Sequence, residues 1–291
     1  MDTVILDSVG RRVASAARSG LGSGIIVAPD GRVVGRFLQT RLTSVFEPVF
    51  ELADGRVSGA QAGVRTVDSR GGPGLAPWEV FAAAARPQDL VELDRLARTV
   101  HALGFESLAQ PGQALHLSVH PRLLDAVREH HGQVYLGLLE TLGLGGLQIV
   151  IELPAIAPGE EARIAPVAAS YRRHGFGVAF RPVSRRQLDA LLVQCNLDTL
   201  RIDADRLVRF GAVDEALRAA RKRRIAIVVE RVRSAFDVAL ARELGATHVQ
   251  GPLFGAPAPA PDLSTPLSGR AGAVPSQVDR VDVRRFLLQG A

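Results

Sequence analysis

The chain has 291 residues, 47% hydrophobic and 22% charged, which is the balance of a globular protein and enough length for one full α/β barrel. No apolar stretch reaches the roughly 18 residues of a membrane span, and MDTVILDSVGRR has no basic segment followed by an apolar core, so a cytoplasmic protein without membrane attachment is expected. The net charge of +5 is almost wholly arginine, and its densest cluster, residues 221–224, ends a helix-period stretch where the helix dipole favours cations, so no nucleic-acid polymer partner is expected.

Residues 1–43 stand apart from the remainder of the chain. They offer a helix over 8–17, a Gly/Ser-rich break over 19–24, and IIVAPDGRVVG, a hairpin turning at Pro29, Asp30 and Gly31. The break is a poor phosphate loop, because a strand comes after it and no helix N-terminus would face the anion. From Val45 a β/α rhythm begins. VFEPVFEL and RVSGAQAGVR are strands joined at Ala53-Asp54-Gly55, and a helical stretch starts near Pro77 and resumes at Asp89 with Leu90, Leu93, Leu96, Ala97 and Val100 in period. ALHLSVH is a strand, and 123–142 is mostly helix. LQIVIEL is a strand ending at Glu152, and 160–173 is a helix with Gly175 beyond it. GVAF ends at Arg181 and Pro182, a helix covers 187–193, and TLRID ends at Asp203. A helix over 207–221 then precedes the apolar run 225–229, which ends on Glu230. The helix over 235–244 stops at Gly245, and a last short strand ends on Gln250 and Gly251.

About eight strands with helices between most of them predict an α/β protein, a closed (β/α)8 TIM-like barrel whose active face lies at the carboxyl ends of its strands. The divisions are a 1–43 extension, a 44–258 barrel and a 259–291 Pro-rich flexible tail, with VDVRRFLLQ near its end. The polar residues near the strand ends are Glu47, Gln61 with Arg65, His120, Glu152, Arg181, Asp203, Glu230 and Gln250.

Three metal- or phosphate-like signals have simpler explanations. His116 and His120 lie on one side of one strand but about 13 Å apart, too far to share an ion. His130 and His131 beside Glu129 are adjacent on a helix and point in different directions. The glycine run 143–146 links a helix to a strand, the reverse of a phosphate loop. Cys195 is the only cysteine, which excludes intrachain disulfides and thiolate zinc sites, and LLVQCNL suits a buried helix end.

The order of these tracts resembles the EAL domain, the barrel family that hydrolyses the bacterial second messenger cyclic di-GMP. FEPVFELADGRVSGAQAGVR is similar to its opening tract, YQPIVDLxTGxIxGxEALxR. LSVHPRLL resembles SVNLS, VIELPAI resembles LEITE, and HGFGVAFRP resembles GxxLALDDFG. LDTLRID resembles VDxLKID, VVERVRS resembles AEGVET, and VQGPLFGAPAP resembles VQGYLFGRPLP. The likeness covers roughly residues 45–257.

The resemblance implies a cage of carboxylates and one asparagine that positions two divalent cations, magnesium or manganese, and activates a water against the phosphodiester. Here the glutamate of EAL is Gln61, the asparagine is His120, the aspartate pair is Arg181 and Pro182, and the assisting lysine is Arg201. Glu152 and Glu230 remain, with Asp203 and Gln250 behind them. An arginine cannot lose its proton in a protein, so no metal cofactor and no catalytic residue is expected, and Glu152 and Glu230 are expected to pair with Arg181 and Arg201. The family's phosphate-contacting arginine is present as Arg65. The leucine that supports the guanine is Gly63, and the opening glutamine is Glu47, whose charge would repel a phosphate. If a ligand binds, Arg65, Arg181, Arg185 and Gln250 are the expected contacts, with Arg186 nearby. The resemblance thus implies a catalytically inactive regulatory protein with a protein partner. A non-hydrolysing cyclic di-GMP receptor is the alternative, and a residual phosphodiesterase comes third. A homodimer is expected by resemblance only.

Overall fold

The computed structural model describes residues 10, 12, 24–68, 72, 74–126, 132–207 and 213–269. β1 (Ile25–Val27) and β2 (Val33–Phe37) form the hairpin expected around Pro29, with Gly31 at φ 84°, a left-handed conformation that favours glycine. β2 pairs antiparallel with β3 (Thr40–Glu51), which turns at residues 53–55 and pairs antiparallel with β4 (Val57–Val67). So short a connection leaves the two strands no other orientation.

From β4 onward helical crossovers keep the strands parallel. β5 (Ala114–Ser118), β6 (Gln148–Leu153), β7 (Gly177–Phe180), β8 (Thr199–Asp203), β9 (Ala226–Glu230) and β10 (His248–Val249) come in order around the ring. β10 then pairs antiparallel with β3, so eight strands, β3 to β10, close a mixed barrel with β3 opposed to both neighbours. The eight strands were expected; the reversed one results from its tight turn.

The helices are α1 (Pro77–Ala83), α2 (Pro87–Glu106), α3 (Leu123–Ala126), α4 (Gln133–Thr141), α5 (Glu161–Arg173), α6 (Arg185–Gln194), α7 (Ala204–Leu207), α8 (Val213–Lys222) and α9 (Ala235–Glu243). The single helices expected over 123–142 and 207–221 are each two described pieces, α3 with α4 and α7 with α8. α6 and α9 start at Ser184 and Ser234, whose hydroxyls accept from the backbone N–H of Gln187 and Asp237.

Strand alternation divides the side chains. Leu115, Leu117, Ile151, Val178, Phe180, Leu200, Ile202, Ile227 and Val229 are buried in the apolar core, and the residues between them on these strands face the barrel axis. Cys195 is buried at the C-terminal end of α6.

The tail expected from 259 is packed as far as residue 269. Ala258 bridges to Phe46, Leu263 is buried, and the Gln113 amide donates to the carbonyls of Val57 at 3.0 Å and Leu263 at 2.7 Å. Its prolines make an extended strap, and the buried leucine and backbone hydrogen bonds fasten it. Of the helix over 8–17, only residues 10 and 12 are described. Residues 19–23, Glu129, His130, His131 and VDVRRFLLQ lie outside the described residues. Among the described residues no helix is long and apolar enough to cross a membrane.

Candidate functional site

Parallel register sets the inward residues of neighbouring strands at matched heights. Gln61 lies opposite His116, Ser118 opposite Glu152, and Asp203 opposite Glu230, while Glu47 on β3 faces Gln61 on β4. Arg181 comes directly after β7, and Gln250 directly after β10. Residues spread over more than two hundred positions therefore meet at the carboxyl-end mouth.

Arg201 stands at the centre and is fully buried. Its Nε donates to Glu230 Oε1 and lies 3.6 Å from Glu152 Oε2. Its Nη2 donates to Gln61 Oε1 at 2.7 Å and to Gln250 Oε1. Its Nη1 reaches His116 Nδ1 at 3.4 Å. Because an arginine only donates, Nδ1 must accept there, so His116 is neutral with its proton on Nε2. Burial and the neighbouring Arg201 charge both hold the His116 pKa well below its ordinary value, which agrees.

Arg181 closes the cluster from above, with Nη2 at 2.8 Å from both Glu152 Oε1 and Glu230 Oε2. The remaining acceptor capacity of Glu152 is filled by Gln61 Nε2 at 3.0 Å and Ser118 Oγ at 3.2 Å. Gln250 Nε2 donates to Glu47 Oε2 at 2.8 Å. Two guanidiniums thus face two buried, fully hydrogen-bonded carboxylates, the arrangement in which ionic groups tolerate burial.

Glu47 is the third acid. Burial pushes its carboxyl pKa above the ordinary value, against the opposing hydrogen bond from Gln250. A carboxyl whose folded pKa is raised costs stability once it ionises, so Glu47→Gln is expected to be more stable than wild type at neutral pH. The gain should shrink as pH falls through the raised folded value towards the ordinary 4.5, where both states hold the proton. Urea midpoints at neutral pH and at about pH 4 measure this; an unchanged or lower midpoint at neutral pH would count against it.

The other expected residues sit elsewhere. His120 lies beyond the end of β5, where it stacks on Phe81 with centroids 4.9 Å apart and accepts from the Arg122 backbone N–H. It is therefore not on one strand with His116, because β5 ends at Ser118. Asp203 pairs with Arg231, a residue at φ 55°, and accepts from the Asp205 N–H. Arg185 is committed to Asp189 at 2.9 Å and Glu215 at 3.9 Å and is not in the cluster. Pro182 comes next to Arg181 without a polar side chain. Arg65 is exposed on β4, two residues past Gly63, with no ion pair among the described residues. Ser118 and Arg231 escaped the sequence reading; strand alternation from His116 would have placed Ser118 on the inner face.

These side chains do not fit the pair of divalent cations that the resemblance implied for active members. The carboxylate oxygens that would coordinate them already face Arg181 and Arg201, and a neutral amide, Gln61, stands where the resemblance puts an acid.

Comparison with known proteins bears on this geometry. Residues 33–257 match the family model for the EAL domain. A search of curated protein sequences gave no match. Among solved structures, the chain is similar to Bacillus subtilis YkuI, a protein with an EAL domain in complex with c-di-GMP and calcium, at 17% identity and TM-score 0.63, covering 86% of this chain and 61% of that one. The FimX EAL domain of Pseudomonas aeruginosa, bound to c-di-GMP, matches at 19% identity and TM-score 0.60 over 75% of this chain and 91% of that one. Klebsiella pneumoniae BlrP1, in a manganese and c-di-GMP complex, matches at 22% identity and TM-score 0.60 over 80% and 58%. At these identities the structural matches bear on the fold alone.

Proposed function

Since the chain belongs to the EAL domain family, we propose that it is a catalytically inactive member, acting as a regulatory protein in cyclic di-GMP signalling through contact with a protein partner. One observation carries the loss of catalysis. A single guanidinium nitrogen, Arg181 Nη2, bridges Glu152 and Glu230 at 2.8 Å each, in the space an activated water and its cations would need. Arg201 adds a second fixed charge beneath it. Exposed apolar side chains beside β4 support the partner: Trp78 is 74% exposed and Leu75 51% exposed, and large exposed apolar groups of this kind anchor protein interfaces.

Non-hydrolysing reception of cyclic di-GMP is the second reading. Arg65, exposed at the rim and unpaired among the described residues, favours it, as does the c-di-GMP held by the FimX EAL domain.

Calorimetric titration of the purified protein with cyclic di-GMP, with and without magnesium, separates the two. Absence of binding heat and of product is the expected result. Binding at micromolar or tighter concentration would move the assignment to the receptor. Linear dinucleotide forming in proportion to protein, and abolished by Glu152→Ala, would defeat both.

A further inference from the structure

At the end of the barrel opposite the Arg201 cluster, α5, α6, α8 and α9 run out just before β7, β8, β9 and β10 begin. These four strands are neighbours in the sheet, so the four connections share one face. Side chains tie them to one another. Arg172 at the end of α5 pairs with Asp198 before β8, Arg223 after α8 donates to the carbonyl of Leu192 on α6, and Arg221 donates to the Leu244 carbonyl after α9 at 3.4 Å. The free carbonyls of helix C-termini attract cations, and Arg221 and Arg223 already serve two of them. Over residues 172–176, 194–198, 221–225 and 242–247 the chain carries seven Arg or Lys but only two acids, Asp198 and Glu243. Arg173, Lys222, Arg224 and Arg242 are exposed there with no ion pair or side-chain hydrogen bond among the described residues.

Arg224 separates this surplus from ordinary surface charge. α4, α5, α8 and α9 end alike, with a left-handed residue whose N–H bonds back into the last turn and a following N–H that bonds one residue further back. After α4, α5 and α9 that residue is Gly143, Gly175 or Gly245, at φ 67°, 82° and 73°; after α8 it is Arg224, at φ 59°. A Cβ strains this conformation, which is why glycine is the usual choice. Arg231, left-handed at φ 55°, gains Asp203 in return. Arg224 gains no partner among the described residues, so a charge is presented to solvent at a cost to the fold.

What surrounds these charges narrows what they can meet. Val193, 80% exposed in the last turn of α6, is the large apolar side chain beside them, and among the described residues no Trp, Tyr or Phe ring is exposed on this face. Nucleic-acid bases need rings to stack on, and a bilayer needs large apolar groups to insert. Carboxylates need only guanidiniums, which match them bidentately. Residues 270–291 carry four arginines against two aspartates, so the chain's own tail does not supply the acids. We infer that this basic face binds an acidic segment of a protein partner, its carboxylates on Arg173, Lys222, Arg224 and Arg242 and one apolar residue against Val193. The inference rests on the proposed regulatory reading and adds to it the surface used and the chemistry of the partner.

The test titrates the full chain by calorimetry at low salt with a synthetic peptide of about ten residues, glutamates around one leucine. The peptide should bind, and more weakly as salt rises. Arg224→Gly should weaken binding by about fivefold or more while leaving the Tm equal or higher, because glycine relaxes the left-handed position. Arg173→Gln and Arg242→Gln together should weaken it by about tenfold or more. Arg86→Gln removes one exposed charge at the start of α2, at the other end of the barrel, and should leave binding unchanged. Failure here leaves the inactive reading standing, whereas hydrolysis of cyclic di-GMP would strike that reading whatever the peptide does. No binding at millimolar peptide, an equal loss from Arg86→Gln, or a lower Tm for Arg224→Gly would overturn the inference. So would a single-stranded oligonucleotide or phosphatidylserine vesicles binding more tightly than the peptide.

Discussion

Arg201→Ala is expected to destabilise the fold by about 3–5 kcal/mol, the range seen when one partner of a buried ion pair is removed. The side chain is wholly buried and serves Glu230, Gln61, Gln250 and His116 at once. Its removal leaves Glu230 with Arg181 alone and strips both glutamine carbonyls of their shared donor. A cavity forms as well, since Arg201 is among the largest fully buried side chains. Urea unfolding should show the loss as a lower midpoint at unchanged slope. Arg201→Lys should fall between, because one ammonium restores the charge but cannot span the acceptors that the fork reaches. A loss under about 1 kcal/mol for Arg201→Ala would mean that water enters and solvates the acids, and the cluster would then be far looser than its hydrogen bonds imply.

Arg181→Asp is expected to yield no turnover of cyclic di-GMP with magnesium or manganese, and a less stable protein. The substitution returns an aspartate to the position the family resemblance assigns to one. It does so among Glu152, Glu230 and Glu47, with Gln61 in place of an acid and Arg201 still seated on Glu230. The stability loss should be smaller than for Arg201→Ala, because the Arg181 side chain is 41% exposed and solvent screens what it leaves behind. Chromatography of the incubated nucleotide decides the matter: linear dinucleotide from Arg181→Asp alone would show that the neighbouring replacements do not block the chemistry.

Much of the barrel mouth was legible in the sequence. The strand ends carried the polar residues that meet there, because in a parallel barrel every inward strand end converges on one face. The closing of the ring by an antiparallel β3 was implicit in the three-residue turn at 53–55. What periodicity could not supply was the extent of each element. His120 was placed on β5 although the strand ends at Ser118, since a polar residue after an apolar alternation looks the same whether the strand continues or turns away. The strap over 258–269 read as free chain because proline content masks a single buried leucine and a few backbone hydrogen bonds. Arg185 looked available to a ligand, but it pairs with Asp189 one turn along α6 and with Glu215 on α8, and the second of these becomes visible only once the helices pack.

The interlocked acids and guanidiniums at the barrel mouth also bear on ancestry. Withdrawing Arg201 first strands buried acids, and converting Arg181 first crowds a further carboxylate among them, so each route to a metal-binding mouth is expected to begin with a less stable protein. Under the proposed inactive reading, selection on folding alone would then hold a lineage in this state, a ratchet whose pawl is the pairing of Glu152 and Glu230 with Arg181 and Arg201.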